Sequence, residues 1–421
     1  MRFVRVLRQD IRSDAQRERE GADVVVIGAG IIGAACAEAL GRRGVGVLVV
    51  DRGPAVGETT ARGEGNLLVS DKPPGPGLTL AQASLRRWPA LLAALREELG
   101  PGRAACEYEP KGGLVVATDE DAAAALGAAA SAQRAAGVEA HGLAPGEAAA
   151  YEPHLTPDVR AAVHYPQDAQ LHPVLAATAL LAAVRARGGG VRTGVRALGV
   201  ETGAGGRVTA LCTSDGRVPC GAVVNACGPW AGRFAEAAGA PLPVLPRRGT
   251  VLVTGPLPPG TVRHKVYDAG YADAAGSGDV ALRTAAVIEA TPAGTVLIGS
   301  SWQRCGFDET LRLEVMSALA RGAVRLFPVL ADVPVVRAYG GFRPYTPDHL
   351  PVIGEDPRLP GLWHATGHEG AGVGLAAATG ELLAQLHTGE SPLTDPRPFR
   401  VARPGLGFTG PTGFTKENPC P

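Results

Sequence analysis

The sequence carries no excess of charge of either sign. Its 41 basic and 41 acidic residues give a formal net charge of zero and a pI of about 7.1. Lysine is scarce and occurs only at positions 72, 111, 265 and 416, so arginine supplies nearly all of the positive charge. Because no basic stripe runs along the chain, we expect no nucleic-acid partner.

Cysteine pairs and long apolar runs are missing as well. The seven cysteines are odd in number and none forms a CxxC pair, which favours reduced thiols and predicts no metal site. The start of the chain, MRFVRVLRQDIRSDAQREREG, has no continuous apolar stretch of the kind that a secretory signal needs. No run approaches the roughly 18 apolar residues of a transmembrane helix. We therefore expect a cytoplasmic protein without a membrane span.

A complete βαβ unit is recognisable near the start of the chain. ADVVVIGAG predicts a buried parallel strand, IIGAACAEALGRR has helical spacing, and VGVLVVD predicts a second strand that ends at Asp51. The pattern Gly28-Ala-Gly30-Ile-Ile-Gly33 lies between the first strand and the helix. Such glycines let the backbone approach a pyrophosphate, and the acid accepts a hydrogen bond from a ribose hydroxyl. The unit predicts a dinucleotide site, with a tight turn that binds nothing as the alternative.

The segment after Asp51 favours FAD over NAD. Residues 57–68, GETTARGEGNLL, form a polar, glycine-rich loop at a point where an NAD-binding fold usually enters its next helix. A loop of this kind can follow a longer cofactor toward its ribityl chain and ring, although an ordinary surface loop would have the same composition. Its polar side chains include Thr59, Thr60, Arg62 and Asn66.

A second glycine loop lies near the other end of the chain. HATGHEGAGVGLAAATG, residues 364–380, predicts a strand, a glycine loop and a helix start. A helix N-terminus carries partial positive charge and would stabilise the negative charge that a flavin gains on reduction. Close packing at a helix entry is the alternative explanation of these glycines.

Arg343 stands in an apolar, proline-rich segment, GFRPYTPDHLPVIG, that predicts a buried strand and turn. A buried charge is costly unless it is paired. A guanidinium offers a planar, bidentate fork for a carboxylate, so a carboxylate substrate is one candidate partner. An internal ion pair with Asp348 or another acid is the alternative.

Six motifs occur in the order found in the D-amino-acid oxidase superfamily, and residues 22–400 resemble that family. The motifs are GAGIIG with Asp51, the ETT loop, NACGPW (225–230), LPRRG (245–249), GFRPYTPD and GHEGAG with its following TG. The chain is most similar to the flavin subunits of opine, proline or hydroxyproline dehydrogenases and of hydrogen cyanide synthase. The resemblance implies an α/β fold, with a Rossmann-like FAD-binding domain and an inserted substrate domain built on a mixed or antiparallel sheet.

The resemblance also implies noncovalent FAD, because this chain has no cysteine near Arg343, where members with covalent flavin carry one. It assigns the pyrophosphate to the first glycine loop and the adenosine to Asp51 and Arg52. It places Thr59 and Thr60 along the phosphates, and residues 65–67 near the flavin ring. The implied cofactor contacts are Gly28, Gly30, Gly33, Asp51, Arg52, Thr59, Thr60, Gly65, Asn66, Leu67, Val195, Gly228, Gly367, Gly370, Gly372 and Gly374.

For the substrate, the resemblance places Arg343 on the carboxylate. Tyr267 and Tyr271, in a region predicted to be strand, are candidates for hydrogen bonds to substrate, with packing as the alternative. His368 and Glu369 are candidates for contact with substrate or a partner subunit, with a solvated loop as the alternative. Lys265 is a candidate for oxygen chemistry near the flavin, and a solvated lysine is the alternative. Gly370 stands where glycine oxidase carries a second arginine, so that likeness is incomplete.

The implied reaction is oxidation of the C–N bond of a D-amino acid or a secondary amino acid to an imine by hydride transfer to flavin N5. The electrons would pass to O2 or to a partner electron-transfer subunit. The alternatives are a flavin subunit of a heteromeric amine dehydrogenase and an NAD-dependent dehydrogenase. The predicted domains are an N-terminal extension (1–21), a discontinuous FAD-binding domain (22–105, 150–240 and 335–390), a substrate domain (106–149 and 241–334) and a C-terminal tail (391–421).

Overall fold

The computed structural model describes residues 22–407, and the predicted N-terminal extension and the end of the predicted tail lie outside this range. The strands are β1 (Ala22–Ile27), β2 (Val47–Asp51), β3 (Asn66–Leu67), β4 (Gly113–Ala117), β5 (His141–Leu143), β6 (Ala161–Tyr165), β7 (Ala169–Gln170), β8 (Gly190–Thr193), β9 (Ala197–Thr202), β10 (Val208–Thr213), β11 (Gly216–Asn225), β12 (Leu245–Thr254), β13 (Lys265–Asp268), β14 (Arg283–Ala290), β15 (Val296–Trp302), β16 (Val335–Tyr345), β17 (Val352–Glu355) and β18 (Leu362–Thr366). The helices are α1 (Ile31–Gly41), α2 (Pro76–Leu99), α3 (Glu120–Ala135), α4 (Pro145–Tyr151), α5 (Pro173–Ala186), α6 (Ala231–Ala237), α7 (Tyr271–Gly276), α8 (Leu313–Leu326) and α9 (Gly372–Thr388).

The first sheet has the strand order β17-β18-β11-β1-β2-β8, with β10 and β9 continuing from β11. Strands β18, β11, β1, β2 and β8 are mutually parallel. Val24 and Val26 of β1 pack with α1 and α9 on one face, whereas Val25 and Ile27 pack on the other. Because β1 is central and both of its faces are buried, its sequence is a continuous apolar run, as expected for a doubly covered parallel sheet.

The second sheet has the order β16-β12-β15-β14-β13-β4-β6-β5 and is antiparallel except where β13 meets β4. Helix α8 packs against it through Val315, Leu319 and Ala323, which share one helical face. Strands β12 and β16 pair over their whole length, with Arg247 opposite Arg343. The predicted combination of a Rossmann-like parallel sheet and a second mixed sheet is confirmed.

Two strands of the second sheet come from ranges that the sequence assigned to the FAD-binding domain. They are β6, within residues 150–240, and β16, within residues 335–390. Sheet membership depends on partners distant in sequence, β4 for β6 and β12 for β16, so local pattern does not reveal it. The domain boundaries themselves stay a prediction.

Two local predictions are wrong. Tyr271 begins the short helix α7 instead of continuing a strand, because the chain turns at Gly270 after β13. Lys265 is not solvated: its side chain is 1% exposed. No helix within residues 22–407 is long and apolar enough to cross a bilayer.

The segment from Ser391 to Gly407 is packed and does not fray. Phe399, Val401 and Leu406 are buried. Arg403 donates from Nε and Nη2 to Asp348 at 2.6 and 2.9 Å. The segment has no helical or strand period, so composition alone could not reveal this anchoring.

Replacing Phe399 with alanine should destabilise the protein by about 3–5 kcal/mol, since it empties the site of a fully buried ring. Urea unfolding followed by circular dichroism measures this. The matched control is Arg397→Ala, two residues away and largely exposed, which should change the free energy of unfolding by less than about 0.5 kcal/mol. Equal stabilities of the two variants would contradict the anchored segment.

Candidate functional site

A cavity of about 600 Å³ lies where the first glycine loop, the polar loop and β16 meet. The predicted residues that line it are Gly28, Gly30, Asp51, Arg52, Thr59, Thr60, Arg62, Asn66, Gly228, Tyr271, Arg343, His368, Glu369, Gly370 and Gly372. The predicted residues outside its wall are Gly33, Gly65, Leu67, Val195, Tyr267, Gly367 and Gly374. The cavity therefore joins segments that are far apart in sequence and belong to both sheets.

The first glycine loop leaves no room for side chains. Gly28 has a φ of +107°, and a Cβ there would lie 2.4 Å from the oxygen of Ala226. A Cβ on Gly33 would lie 1.9 Å from the oxygen of Gly28, so this glycine lets α1 pack onto the loop. The bare backbone and the N-terminus of α1 form a cradle of the kind that holds a pyrophosphate.

Asp51 lies at the end of β2 and fixes this loop. Its Oδ2 accepts from the Ala29 amide at 2.8 Å and its Oδ1 from the Gly53 amide at 2.9 Å. The Val195 amide donates to the backbone oxygen of Asp51 at 2.9 Å. This bond holds the connection between β8 and β9 beside Asp51. Each carboxylate oxygen keeps a second lone pair, so Asp51 can still accept from a ribose.

The two threonines of the polar loop hold the walls together. Thr60 Oγ1 accepts from the Ile31 amide at 3.0 Å and so caps α1. Thr59 donates to the oxygen of Phe342 at 2.8 Å, which ties the loop to β16. The polar loop is therefore a built part of the cavity and not an ordinary surface loop.

The outer part of the cavity contains an aromatic stack that sequence reasoning missed. The Arg52 guanidinium lies 4.0 Å from the centre of the Trp230 ring, a cation–π arrangement. Trp230 in turn stacks on Phe307 at 5.2 Å. Trp230 stands in the NACGPW motif beside the predicted Gly228, but sequence alone does not indicate that it faces Arg52.

Three of the predicted glycines serve packing. A Cβ on Gly65 would lie 1.9 Å from the oxygen of Leu171, and one on Gly374 would lie 3.1 Å from the oxygen of Asn66. A Cβ on Gly367 would meet the Thr346 side chain at 2.6 Å. Close packing therefore requires glycine at these positions and brings β3 and α9 close to the cavity. Their contact with the cofactor stays a prediction.

His368 precedes α9 and is buried, which excludes the solvated-loop alternative for it. Its Nε2 is 2.9 Å from the Thr379 hydroxyl oxygen, and its Nδ1 has no partner among residues 22–407. Burial lowers the pKa of its imidazole to about 3, so the ring is neutral. A buried, unpaired ring nitrogen beside the cavity is a ready contact for a bound group.

Glu369 is held by an arginine and a histidine. It accepts from Arg247 Nη1 at 2.9 Å and lies 2.7 Å from His349 Nδ1. Its solvated-loop alternative is therefore wrong as well.

Arg343 is clamped at the cavity wall. Its Nη1 donates to the oxygen of Ser301 at 2.7 Å and its Nη2 to Ser300 Oγ at 3.2 Å. A Cβ on Gly249 would lie 2.3 Å from Nη1, and one on Gly370 would lie 3.3 Å from Nε. Because neither glycine has a side chain, the Arg343 guanidinium fits in the space beside them.

No carboxylate within the described range forms an ion pair with Arg343. Asp348, the internal partner considered above, is taken by Arg403 at 2.6 Å, so that alternative is wrong. Burial lowers the pKa of the Arg343 guanidinium, but arginine starts so high that the group stays charged. A partly buried cation thus lines the cavity, and the hydrogen bonds that it donates to Ser300 and Ser301 go to neutral acceptors.

The two tyrosines have different places. Tyr271 lines the cavity, and burial raises the pKa of its hydroxyl, which remains a donor. Tyr267 lies outside the wall with its hydroxyl against Ser70, which also bonds Asp168. The Tyr267 hydroxyl therefore bonds within the protein, and its contact with substrate stays a prediction.

A buried charge cluster behind the polar loop was also missed. Lys265 bonds Glu289 and Asn66, and its Nζ is 4.0 Å from Glu64 Oε2. Glu64 lines the cavity. The GEGN sequence places Glu64 beside predicted flavin contacts, but its pairing with residues 200 or more positions later left no local signal.

The site fits FAD. The glycine cradle, the N-termini of α1 and α9 and the unpaired His368 Nδ1 supply what a dinucleotide with a second ring system requires. Cys227 also lines the cavity, but burial raises the pKa of its thiol to about 12, which disfavours a covalent link through a thiolate.

Comparison with known proteins agrees with this geometry. Residues 23–386 match the DAO family, described as FAD dependent oxidoreductase. A glycine oxidase of Pseudomonas aeruginosa is 30% identical over 90% of this chain and 98% of its own length. Hydrogen cyanide synthase subunit HcnC of Pseudomonas protegens is 31% identical over 60% of this chain and 57% of that protein. The crystal structure of glycine oxidase from Geobacillus kaustophilus has a TM-score of 0.82 and 28% identity, covering 91% of this chain and 98% of that one.

Proposed function

Since this chain belongs to the DAO family of FAD-dependent oxidoreductases, we propose that it oxidises the C–N bond of a D-amino acid or a secondary amino acid to an imine. The observation that carries the proposal is Arg343, a partly buried cation at the cavity wall without a carboxylate partner among residues 22–407. An amino-acid carboxylate would complete its hydrogen bonds in bidentate geometry.

Bound noncovalently, FAD would supply the hydride acceptor, and the chain would supply position. Arg343 is held by Ser300 and Ser301, so a carboxylate bound to it has a fixed location. The Tyr271 hydroxyl is a second donor at the same wall. Fixing the α-carbon in this way lowers the entropic part of the barrier.

The known relatives do not indicate which side chain the substrate carries. Their names cover glycine oxidase, L-proline dehydrogenase and mitochondrial sarcosine dehydrogenase. A side chain at position 370 would crowd Arg343, since even a Cβ there lies 3.3 Å from Nε. Gly370 therefore leaves room for a substrate larger than glycine, which favours proline-like and opine-like amino acids.

The electron acceptor is O2 or a partner electron-transfer subunit. The likeness to HcnC, a synthase subunit, supports the alternative of a flavin subunit in a heteromeric dehydrogenase. The NAD-dependent alternative has no support once the family is FAD-dependent. A cytoplasmic location stays a prediction.

An anaerobic absorbance spectrum tests the proposal. The purified protein should show oxidised flavin that bleaches when one of a panel of D-amino acids, sarcosine, proline, hydroxyproline or opines is added. Admitting air should restore the band within seconds for an oxidase and slowly for a dehydrogenase that needs a partner. Flavin that no compound bleaches would favour the electron-relay subunit, and an absence of flavin even after reconstitution with FAD would contradict the proposal.

A further inference from the structure

Glu64 is a buried carboxyl group that the reaction described so far does not use. Its side chain is 6% exposed, and its Oε1 has no hydrogen-bond partner among residues 22–407. Its Oε2 accepts from Asn66 Nδ2 at 3.1 Å. A buried carboxylate oxygen without a donor is costly, so such an oxygen in a cavity wall marks a place where a ligand donor would be stabilising.

Lys265 does not satisfy this oxygen. Its ammonium bonds Glu289 and Asn66, and its Nζ lies 4.0 Å from Glu64 Oε2. The nearby lysine is thus committed to a second carboxylate.

Glu64 and Arg343 meet the same short stretch of β15. A Cβ on Gly299 would lie 2.3 Å from Glu64 Oε1, while Arg343 bonds Ser300 and Ser301, the next two residues. Both side chains line the cavity. An acidic side chain, Glu64, and a basic one, Arg343, thus contact consecutive residues of one strand. An amino acid carries the complementary pair, an ammonium and a carboxylate, on one carbon.

We propose that Glu64 binds the amino group of the substrate and accepts its proton, while Arg343 holds the carboxylate. This inference rests on the proposed function. The step converts an ammonium and a carboxylate into a neutral amine and a carboxylic acid. The neutral amine then has a free lone pair on nitrogen, which supports the departure of hydride from the neighbouring carbon. Oε1 is shielded by the Gly299 backbone, and because the terminal carboxyl torsion is soft, its rotation would turn this oxygen toward the amine.

The electrostatics suit a proton acceptor. Burial raises the pKa of the Glu64 carboxyl, while Lys265 opposes the rise, and a raised pKa narrows the gap to that of an ammonium. The ionisable groups around it are Lys265, Glu289, Arg343, Tyr271 and Tyr339. The site is therefore specific for amino acids over 2-hydroxy acids, which bring a carboxylate but no ammonium proton.

The test is Glu64→Gln in the FAD-loaded enzyme, with sarcosine and D- and L-proline as reductants and acetate as an amine-free ligand. Acetate affinity, followed by the change in flavin absorbance, should not fall, because Arg343 is intact. Anaerobic flavin reduction near neutral pH should slow by about 100-fold. The rate should then rise by about tenfold per pH unit toward the pKa of the substrate amine, where solution supplies the neutral form.

Glu58→Gln is the matched control, since it removes a carboxylate from the same loop at the half-exposed end beside Arg52. Its pH profile of flavin reduction should keep the wild-type form. Should Glu64→Gln fail to fold, Glu64→Asp, which retains the carboxyl, should reduce slowly without the steep pH dependence.

The outcomes separate the two proposals. If the flavin of Glu64→Gln is reduced at the wild-type rate and with the wild-type pH profile, this inference alone is overturned. A joint loss of acetate binding and reduction in that variant would assign Glu64 a structural role and overturn it as well. A wild-type flavin that no amino acid reduces would overturn the proposed function, and this inference with it.

Discussion

Replacing Arg343 with lysine should lower kcat/KM for the amino-acid substrate by about a thousandfold, with flavin content unchanged. Lysine keeps the charge but loses the planar fork, and its ammonium cannot reach both Ser300 and Ser301 while holding a carboxylate. Losing a buried, hydrogen-bonded charge contact costs about 2–5 kcal/mol, which corresponds to this range of rates. Steady-state kinetics on the substrate found by flavin bleaching measures it.

Arg337→Lys is the matched control, because Arg337 is an exposed arginine on the same strand, stacked near Tyr339. It should change kcat/KM by less than about twofold. An Arg343→Lys enzyme within tenfold of wild type would mean that the substrate carboxylate binds elsewhere. Amines without a carboxylate should respond little to Arg343→Lys, which distinguishes lost recognition from general damage.

Replacing Gly33 with alanine should weaken FAD binding by about 5- to 150-fold and lower the thermal midpoint of the protein. The new methyl group would stand 1.9 Å from the backbone oxygen of Gly28, so α1 must move away from the loop that it packs against. Overpacking of this kind costs about 1–3 kcal/mol, and here it deforms the cradle itself. Flavin fluorescence titration of the apoprotein and thermal unfolding report the two effects separately.

Gly41→Ala offers the comparison within the same helix. No atom lies within 4 Å of a Cβ at Gly41, which ends α1. Alanine there should leave FAD affinity unchanged and increase stability by up to about 1 kcal/mol. A Gly33→Ala protein that retains FAD as tightly as Gly41→Ala would show that helix packing is not what shapes the pyrophosphate cradle.

The parts of the site that could be predicted are those encoded within a few dozen residues. Strand, glycine loop, helix and Asp51 lie within one βαβ unit, so periodicity and spacing specify them together. Arg343 was recognisable because an arginine in an apolar segment requires a partner. Its geometry was not, since Ser300 and Ser301 approach it across the second sheet.

The predictions that failed depend on direction and distant pairing. Tyr267 and Tyr271 are four residues apart, yet a turn at Gly270 sends only the second to the cavity. The sequence indicated a solvated Lys265 because its carboxylate partner, Glu289, lies on another strand. Neither a turn direction nor a cross-strand ion pair has a signature in one local window of sequence.

The anchored C-terminal segment has a consequence for how the protein can be handled. Arg403 occupies both oxygens of Asp348, which is only five positions from Arg343 along the chain. Trimming the protein before Ser391 would remove Arg403 and leave both oxygens of the Asp348 carboxylate without their arginine partner. A fusion tag placed after Gly407 keeps this contact, whereas a truncation ahead of it exposes a charge that the folded protein neutralises.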